Sequence, residues 1–213
     1  MPHIYYWSMT LQLPIPFPLV SSMSDSWKYD ASTGRLQAMA GERTDWYCNP
    51  ADKFNDEATP TLNALTLLGT PEPRDFQLSA KVTVDFNSDY DAGVLAIWVD
   101  SQTWAKLCFE YSPDKIGMVV SVVTLGASDD SNAFTLPNNS TFLRVSRFGR
   151  TFAFHASRDR STWELIRVFA LNTDINSQRV GFLAQAPTGP GCSVKFSEIN
   201  FSYSTLNALR DGS

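Results

Sequence analysis

One predicted strand, at residues 104–111, concentrates side chains that could do chemistry. Side chains of a strand alternate between the two faces of a sheet. One face of this strand therefore carries Trp104, Lys106, Cys108 and Glu110. An indole, an ammonium and a carboxylate are costly to bury without partners, and they suit the wall of a ligand groove. The pattern predicts such a groove, and the alternative is a half-solvated sheet face without a ligand.

A second candidate site follows from the register of two predicted hairpins. If residues 149–150 form a two-residue turn, Arg144 lies opposite His155. If residues 159–160 turn the next hairpin in the same way, His155 lies opposite Glu164. These registers also gather an apolar set on the opposite face: Leu143, Val145, Phe152, Phe154, Ala156, Trp163 and Leu165. A slip of one residue would mix the two faces, so the apolar set supports both registers.

The predicted row of Arg144, His155 and Glu164 has two interpretations. A histidine between a cation and an anion could titrate near neutral pH and act as an acid or a base. The alternative is a charge ladder on a solvated sheet face, worth under about 1 kcal/mol per pair.

Four further residues are expected near the mouth of the groove. Trp46 and Tyr47 lead into a polar loop at 49–60 and could form an aromatic platform, unless they belong to the core. Thr124 is expected to line the groove, and Asp129 to lie at its rim beside a predicted turn.

Short strands with turn clusters between them predict an all-β fold. Residues 76–86 alternate cleanly between apolar and polar, and further strands are predicted at 94–99, 105–111, 119–123 and within 143–157. No convincing amphipathic helix separates them. This spacing is typical of two antiparallel sheets packed as a sandwich.

Eight short motifs follow one another over about residues 27–203. They are Thr44-Asp45-Trp46-Tyr47, Asp75-Phe76, Tyr90-Asp91-Ala92-Gly93, Trp104-x-Lys106-x-x-x-Glu110, Ser121-Val122-Val123-Thr124, Ser128-Asp129, Leu143-Arg144-Val145-x-Arg147 and Val180-Gly181-Phe182. In this order and spacing the chain resembles the DUF1349 family, also called YesU-like or regulation-of-enolase. The resemblance implies a jelly-roll sandwich of the concanavalin A-like lectin and glucanase type. Two positions depart from the family pattern: Asp130 replaces an aromatic residue, and Asp159-Arg160 replaces an Asp-Gly turn.

Composition bounds the size of the fold and the class of partner. The chain has 213 residues, of which 43% are hydrophobic, enough for one sizeable core. Its net charge is −5, and no basic cluster is present. Nucleic acids and anionic membranes attract a positive surface, so neither is expected as a partner. A small molecule is the expected ligand.

The expected domain organisation is a single sandwich at residues 27–203. Alternating prolines suggest that residues 1–26 form an extended arm on the sandwich, and residues 204–213 read as a polar tail. The three cysteines are odd in number and lack metal-ligand spacing, which fits idle thiols in a reducing compartment. A cytoplasmic location is therefore expected.

Two functions remain open from the sequence. The first is a binding protein that holds a sugar or a small metabolite in the groove. The second is an enzyme without a cofactor, an isomerase, cyclase or lyase, with Glu110 or His155 as acid or base. In the enzyme, Lys106, Arg144 or Arg147 would stabilise developing negative charge.

Other chemistries lack the necessary residues. Two histidines exclude a multi-histidine metal site, and no metal or cofactor is predicted. Calcium stays open as an alternative, because Asp89, Asp91, Asp129 and Asp130 lie beside predicted turns and calcium takes carboxylate ligands. Glycoside hydrolysis needs two carboxylates facing each other over one groove. The resemblance implies glucanase relatives that carry paired acids along one strand, and this strand has Lys106 at the position of a second acid.

Overall fold

The computed structural model describes residues 10–52, 59–171 and 173–213. Within them, strands form an eight-stranded sheet, a seven-stranded sheet and a small two-stranded sheet, with antiparallel pairing. The strands are β1 Thr10–Leu11, β2 Leu19–Ser21, β3 Trp27–Asp30, β4 Arg35–Met39, β5 Trp46–Tyr47, β6 Thr61–Leu62, β7 Leu65–Gly69, β8 Phe76–Asp85, β9 Ala92–Asp100, β10 Thr103–Tyr111, β11 Gly117–Leu125, β12 Ser128–Leu136, β13 Ser140–Phe148, β14 Thr151–Ser157, β15 Glu164–Ala170, β16 Arg179–Gln185 and β17 Ser193–Ser202. Short 3-10 turns lie at Pro50–Asp52 and Ile175–Ser177.

The two large sheets pack face to face, as predicted. Their strand orders are β1-β2-β7-β16-β9-β10-β11-β12 and β15-β14-β13-β8-β17-β4-β3. The alternation of side chains between the two faces of a strand decides which residues are buried. In β8, Phe76, Leu78 and Val82 point into the core, and at most 1% of each is exposed. From the other sheet, Leu107 and Phe109 of β10 join the same hydrophobic core. The all-β sandwich fold is confirmed.

A second, smaller hydrophobic cluster lies on the outer face of the eight-stranded sheet. There β5 and β6 lie over β10, and Trp46 packs against Trp104 with ring centroids 5.6 Å apart. Cys48 and Cys108 belong to the same cluster. This cover occupies part of the outer face and forms one wall of the depression described below.

Within residues 10–26, two short strands extend the eight-stranded sheet at its edge. β1 pairs with β2, and β2 pairs with β7. Between them Leu13, Ile15 and Phe17 alternate into the core. Residues 1–9 of the predicted arm lie outside the described residues, as does much of the loop predicted at 49–60. Neither 3-10 turn has the length or hydropathy for a membrane crossing, and no other helix occurs in the described part of the chain.

One predicted hairpin register is confirmed and the next is wrong. Arg144 lies opposite His155 across the turn at 149–150. The following connection, however, takes residues 158–163, and a bulge places His155 opposite Leu165 instead of Glu164. Asp159 holds this longer loop, because its Oδ1 accepts hydrogen bonds from the backbone N–H groups of residues 161 and 162, both at 2.8 Å.

In the observed register, two residues that were expected on the apolar face lie elsewhere. Trp163 lies in the loop and is half-buried, and Leu165 shares the face of His155. The strand β12 was also not predicted. Its sequence is polar and acidic, which suits a sheet edge where one side of the strand has no partner.

Candidate functional site

Three rows of side chains cross the outer face of the eight-stranded sheet beside β5. In order across β16, β9, β10, β11 and β12, the rows are Gln185-Ala92-Glu110-Met118-Thr135, Leu183-Val94-Cys108-Val120-Asn132 and Gly181-Ala96-Lys106-Val122-Asp130. The small residues Ala92 and Ala96 leave room on β9, between β10 and β16. Long side chains from β10 can therefore lie across β9.

The rows and the neighbouring loops enclose a depression of about 470 Å³, which we call the groove. This volume is in the range of small-molecule sites. Its lining comprises Asp45, Tyr47, Tyr90, Lys106, Glu110, Pro113, Met118, Val120, Val122, Asp130, Asn132, Gln185 and Pro187. An apolar strip of β11 thus runs between polar side chains of β10 and β12.

Lys106 is buried at the base of the groove and is fully hydrogen-bonded. Its Nζ donates to Asp45 Oδ1 at 2.9 Å, to the carbonyl oxygen of Trp46 at 2.7 Å and to Gln185 Oε1 at 3.1 Å. A lysine ammonium has three donors, so none remains for a ligand.

The ammonium of Lys106 is also held in its charged form. Burial alone would lower the pKa of Lys106, but the carboxylate of Asp45, with smaller contributions from Cys108 and Glu110, outweighs burial and raises it. An amine held in its protonated form is neither a base nor a nucleophile.

Glu110 has the opposite environment four residues along the same strand. Its carboxyl is half-buried, and no hydrogen bond or ion pair joins it to another described residue. Burial raises the pKa of Glu110 to about 7; Asp45 and Asp130 add to the rise and Lys106 opposes it. This carboxyl therefore exchanges its proton near neutral pH.

The two aspartates of β12 face opposite ways. Asp130 lines the groove, where loss of hydration and the carboxylates of Asp45 and Asp129 raise its pKa against the effect of Lys106. Asp129 points away and pairs with Arg167 at 2.9 Å. The expectation that Asp129 lies at the rim is wrong, and the residue in that position is Asp130.

Three other residues expected at the groove are buried elsewhere. Trp104 and Thr124 are both fully buried, the first beneath Trp46 and the second against Ser128 Oγ at 3.0 Å. Trp46 itself packs between Trp104 and Trp98. Of the expected aromatic platform, only Tyr47 reaches the groove. Indoles are favoured in a dry cluster because their apolar area exceeds their one polar group.

The charged row predicted on β13 to β15 lies on the other sheet, away from the groove. Arg144 Nη2 donates to the carbonyl oxygen of Gly212 at 2.5 Å, and His155 Nε2 lies 2.9 Å from that of Leu209. Glu164 is exposed and pairs with Arg158. The structure therefore separates Glu110 and Lys106 from the second proposed acid or base, His155.

Arg147 is buried at the end of the core, where it holds neighbouring connections in place through hydrogen bonds. It is 1% exposed, and its guanidinium donates to Gln178 Oε1 at 3.0 Å and to the carbonyl oxygens of Glu72 and Arg74 at 2.6 and 2.7 Å. Glu72 and Arg74 belong to the connection before β8, and Gln178 directly precedes β16. Nothing places this side chain in the groove.

Asp45, Tyr90, Asn132 and Gln185 line the groove without having been predicted to do so. Asp45 could have been found, because a buried lysine needs a carboxylate and Asp45 belongs to a motif that contributes Tyr47 to the same site. Gln185 had no comparable signal. Among the described residues no three His, Cys, Asp or Glu side chains cluster to hold a metal ion.

Comparison with known proteins places this chain in a family. A family model described as "Protein of unknown function (DUF1349)" matches residues 23–204. The chain belongs to the DUF1349 family. A search of curated proteins finds no match.

Solved structures share the fold of this DUF1349 protein. A functionally unknown protein from Saccharomyces cerevisiae is 24% identical with a TM-score of 0.75, over 87% of this chain and 96% of that one. The GH43 BlXynB protein from Bacillus licheniformis is 13% identical with a TM-score of 0.65, over 88% of this chain and 37% of that one. A Bacteroides ovatus xyloglucan-locus GH43B protein is 13% identical with a TM-score of 0.67, over 91% of this chain and 38% of that one. At these identities the likeness concerns the fold alone.

Proposed function

We propose that this DUF1349 protein binds a small polyhydroxylated ligand, a sugar or a similarly polar metabolite, in the groove. The observation that carries the proposal is the contrast between Lys106 and Glu110. Lys106 has all three donors bonded within the protein, whereas Glu110 has an accepting carboxyl that faces the groove without a protein partner in the described residues. Sugar hydroxyls, which both donate and accept, can bond this carboxyl in its charged and in its neutral form.

The remaining lining suits the same ligand class. Val120 and Val122 form an apolar strip that can pack against the C–H face of a sugar ring, and Tyr47 and Tyr90 border it. Asp130 supplies a second acceptor across the strip. A cytoplasmic site of action is part of the proposal and is supported by three cysteines that are all free and buried.

A ligand screen with paired variants tests the binding function. Neutral monosaccharides and disaccharides are screened by thermal shift against the wild type, Asp130→Asn and Asp129→Asn. Asp129 is the matched control, because it neighbours Asp130 on β12 but points out of the groove. We expect a ligand that stabilises the wild type and Asp129→Asn equally and binds Asp130→Asn about 10-fold more weakly. Equal stabilisation of all three, or none, would reject the groove as the site.

A second candidate function is catalysis without a cofactor, an isomerase, cyclase or lyase reaction on a small metabolite. The observation that favours it is the unpaired carboxyl of Glu110, whose pKa of about 7 suits an acid or base at neutral pH. His155 does not contribute to this site, since it lies on the other sheet under residues 205–213.

For a ligand found in the screen, the two functions differ in the effect of Glu110→Gln. If the protein is an enzyme, we expect turnover to fall by about 100-fold or more while the ligand still binds. If the protein is a binding protein, no product forms with the wild type. Turnover that survives Glu110→Gln unchanged would remove this residue as the catalyst.

A further inference from the structure

The segment at 205–213 lies on the outer face of the seven-stranded sheet, on the opposite side of the sandwich from the groove. It contacts β13 and β14 through two of its backbone carbonyl groups. Gly212 O accepts from Arg144 Nη2 at 2.5 Å, and Leu209 O lies 2.9 Å from His155 Nε2. Neutral carbonyls are thus the partners of a guanidinium and an imidazole.

Arg144 is a buried charge without a counter-ion. It is 7% exposed, and no carboxylate of the described residues forms an ion pair with it. Its Nε has no hydrogen-bond partner. Burial lowers the pKa of Arg144 to about 10, and no nearby charge offsets that effect. A buried cation normally has an anion beside it, because desolvation without one is costly.

Other polar groups beside Arg144 are also incompletely bonded. His155 is fully buried, and its Nδ1 has no hydrogen-bond partner. Ser146 lies two residues beyond Arg144 on the same face of β13; it is 1% exposed, and its Oγ has no hydrogen-bond partner either. The guanidinium of Arg144 lies over the ring of Trp163, 4.2 Å from its centroid. Asp211 does not serve as the counter-ion, since it is exposed and its Oδ1 accepts from Ser213 N at 3.0 Å.

We propose that Arg144 and His155 form a binding site for an oxyanion, a phosphate or carboxylate group, and that segment 205–213 covers this site in competition with the anion. The carbonyl oxygens of Gly212 and Leu209 stand where two oxygens of the anion would lie. A planar guanidinium that can donate through two nitrogens, with an imidazole beside it, is a recurrent arrangement for oxyanions. The stacked Trp163 ring fixes the guanidinium plane.

Gly212 offers a way to release the segment in the full chain. Its φ is +68°, and an added Cβ would collide with Arg144 Nη2 and lie 3.0 Å from Trp163 Cβ. Gly149 is the matched control, because its φ is +59° and an added Cβ would meet nothing within 4 Å. Alanine at either position strains the backbone alike, but only at Gly212 does the added methyl group press against Arg144 and Trp163, so that moving the segment off the sheet relieves the contact.

The test measures phosphate binding from the dependence of Tm on inorganic phosphate, with sodium chloride holding ionic strength constant. We expect the dissociation constant to fall about 10-fold in Gly212→Ala relative to the wild type and Gly149→Ala, because the segment no longer competes. Adding Arg144→Gln to Gly212→Ala should abolish the gain. The same titration with acetate separates a phosphate site from a carboxylate site.

An independent measurement on the wild type tests the proposal even if Gly212→Ala does not fold. In the wild type, phosphate added at constant ionic strength should shift the NMR signals of the Trp163 indole and the Gly212 amide in a saturable way. The proposal is overturned if those signals do not respond. It is also overturned if phosphate stabilises Gly212→Ala, Gly149→Ala and the Arg144→Gln double variant equally.

Discussion

Lys106 and Glu110 show how two charged residues on one face of one strand acquire different roles. Alternation along β10 is enough to place both side chains over the outer face of the sheet, and the sequence predicts that much. Their difference depends on residues that are remote in sequence. Asp45, Trp46 and Gln185 surround the ammonium of Lys106, and Glu110 has no equivalent set. Contacts of this kind have no local sequence pattern.

The free energy of unfolding should depend on pH through Glu110. The folded-state pKa of about 7 lies above the ordinary value of 4.5, so the folded state binds the proton more tightly. The resulting stability is fully present below pH 4.5 and is lost as pH rises through 7. Glu110→Gln, which stays neutral, should be more stable than the wild type by of the order of 2 kcal/mol at about pH 8 and show no such gain at about pH 4.5.

Denaturant unfolding at the two pH values measures this difference. Glu164→Gln is the control, because Glu164 is an exposed carboxylate on the other sheet. A Glu110→Gln variant that tracks the wild type at both pH values would show that the carboxyl of Glu110 is well solvated.

Removing the ammonium of Lys106 should be strongly destabilising. Lys106→Met leaves Asp45, Gln185 and the carbonyl of Trp46 without their shared donor, and we expect a loss of about 3–5 kcal/mol in unfolding free energy. Lys195→Met provides the comparison: Lys195 pairs with Asp85 at 2.9 Å at the surface, so its loss should be under about 1 kcal/mol. Similar losses in the two variants would contradict the structural role assigned to Lys106.

At the scale of elements, the sequence predicts strands well where apolar residues alternate and poorly elsewhere. The alternation in β8 is nearly complete, and its predicted bounds differ from the observed ones by one residue. The polar β12 lacks an apolar alternation because it lies at a sheet edge. The loop at 158–163 replaced a predicted two-residue turn because Asp159 bonds to the backbone of the residues after it. Such side-chain to backbone bonds compete with tight turns.

The changed register alters what is expected of Trp163. A core tryptophan would cost about 3–5 kcal/mol when truncated to alanine. Trp163 lies half-buried in the loop and stacks on Arg144, so Trp163→Ala should cost only about 1–2 kcal/mol. Phe154→Ala, at a fully buried position of β14, should cost about 3–5 kcal/mol. Chemical denaturation of both variants checks the contrast, and the reverse ranking would restore the register predicted from the sequence.

At the scale of the whole molecule, the sandwich separates two polar regions by its core. The groove lies outside the eight-stranded sheet, and the Arg144 and His155 pair lies outside the seven-stranded sheet. The sequence predicts that charged side chains gather on one strand face in each region, but it does not predict that residues 205–213 cover the second region. That segment is polar and irregular, and its docking depends on backbone carbonyls, which every sequence has.

The cover formed by β5 and β6 has a consequence for the order of folding. It brings Asp45 to Lys106 across 61 positions of sequence, and β16 brings Gln185 across 79. Contacts between such distant segments form only after the loops between them have closed. The groove should therefore be absent from any collapsed intermediate in which β5 and β16 have not yet taken their places beside β10, and in refolding the binding of the proposed ligand should appear only after both have done so. A ligand that binds as proposed would then report the chains in which these distant segments have come together.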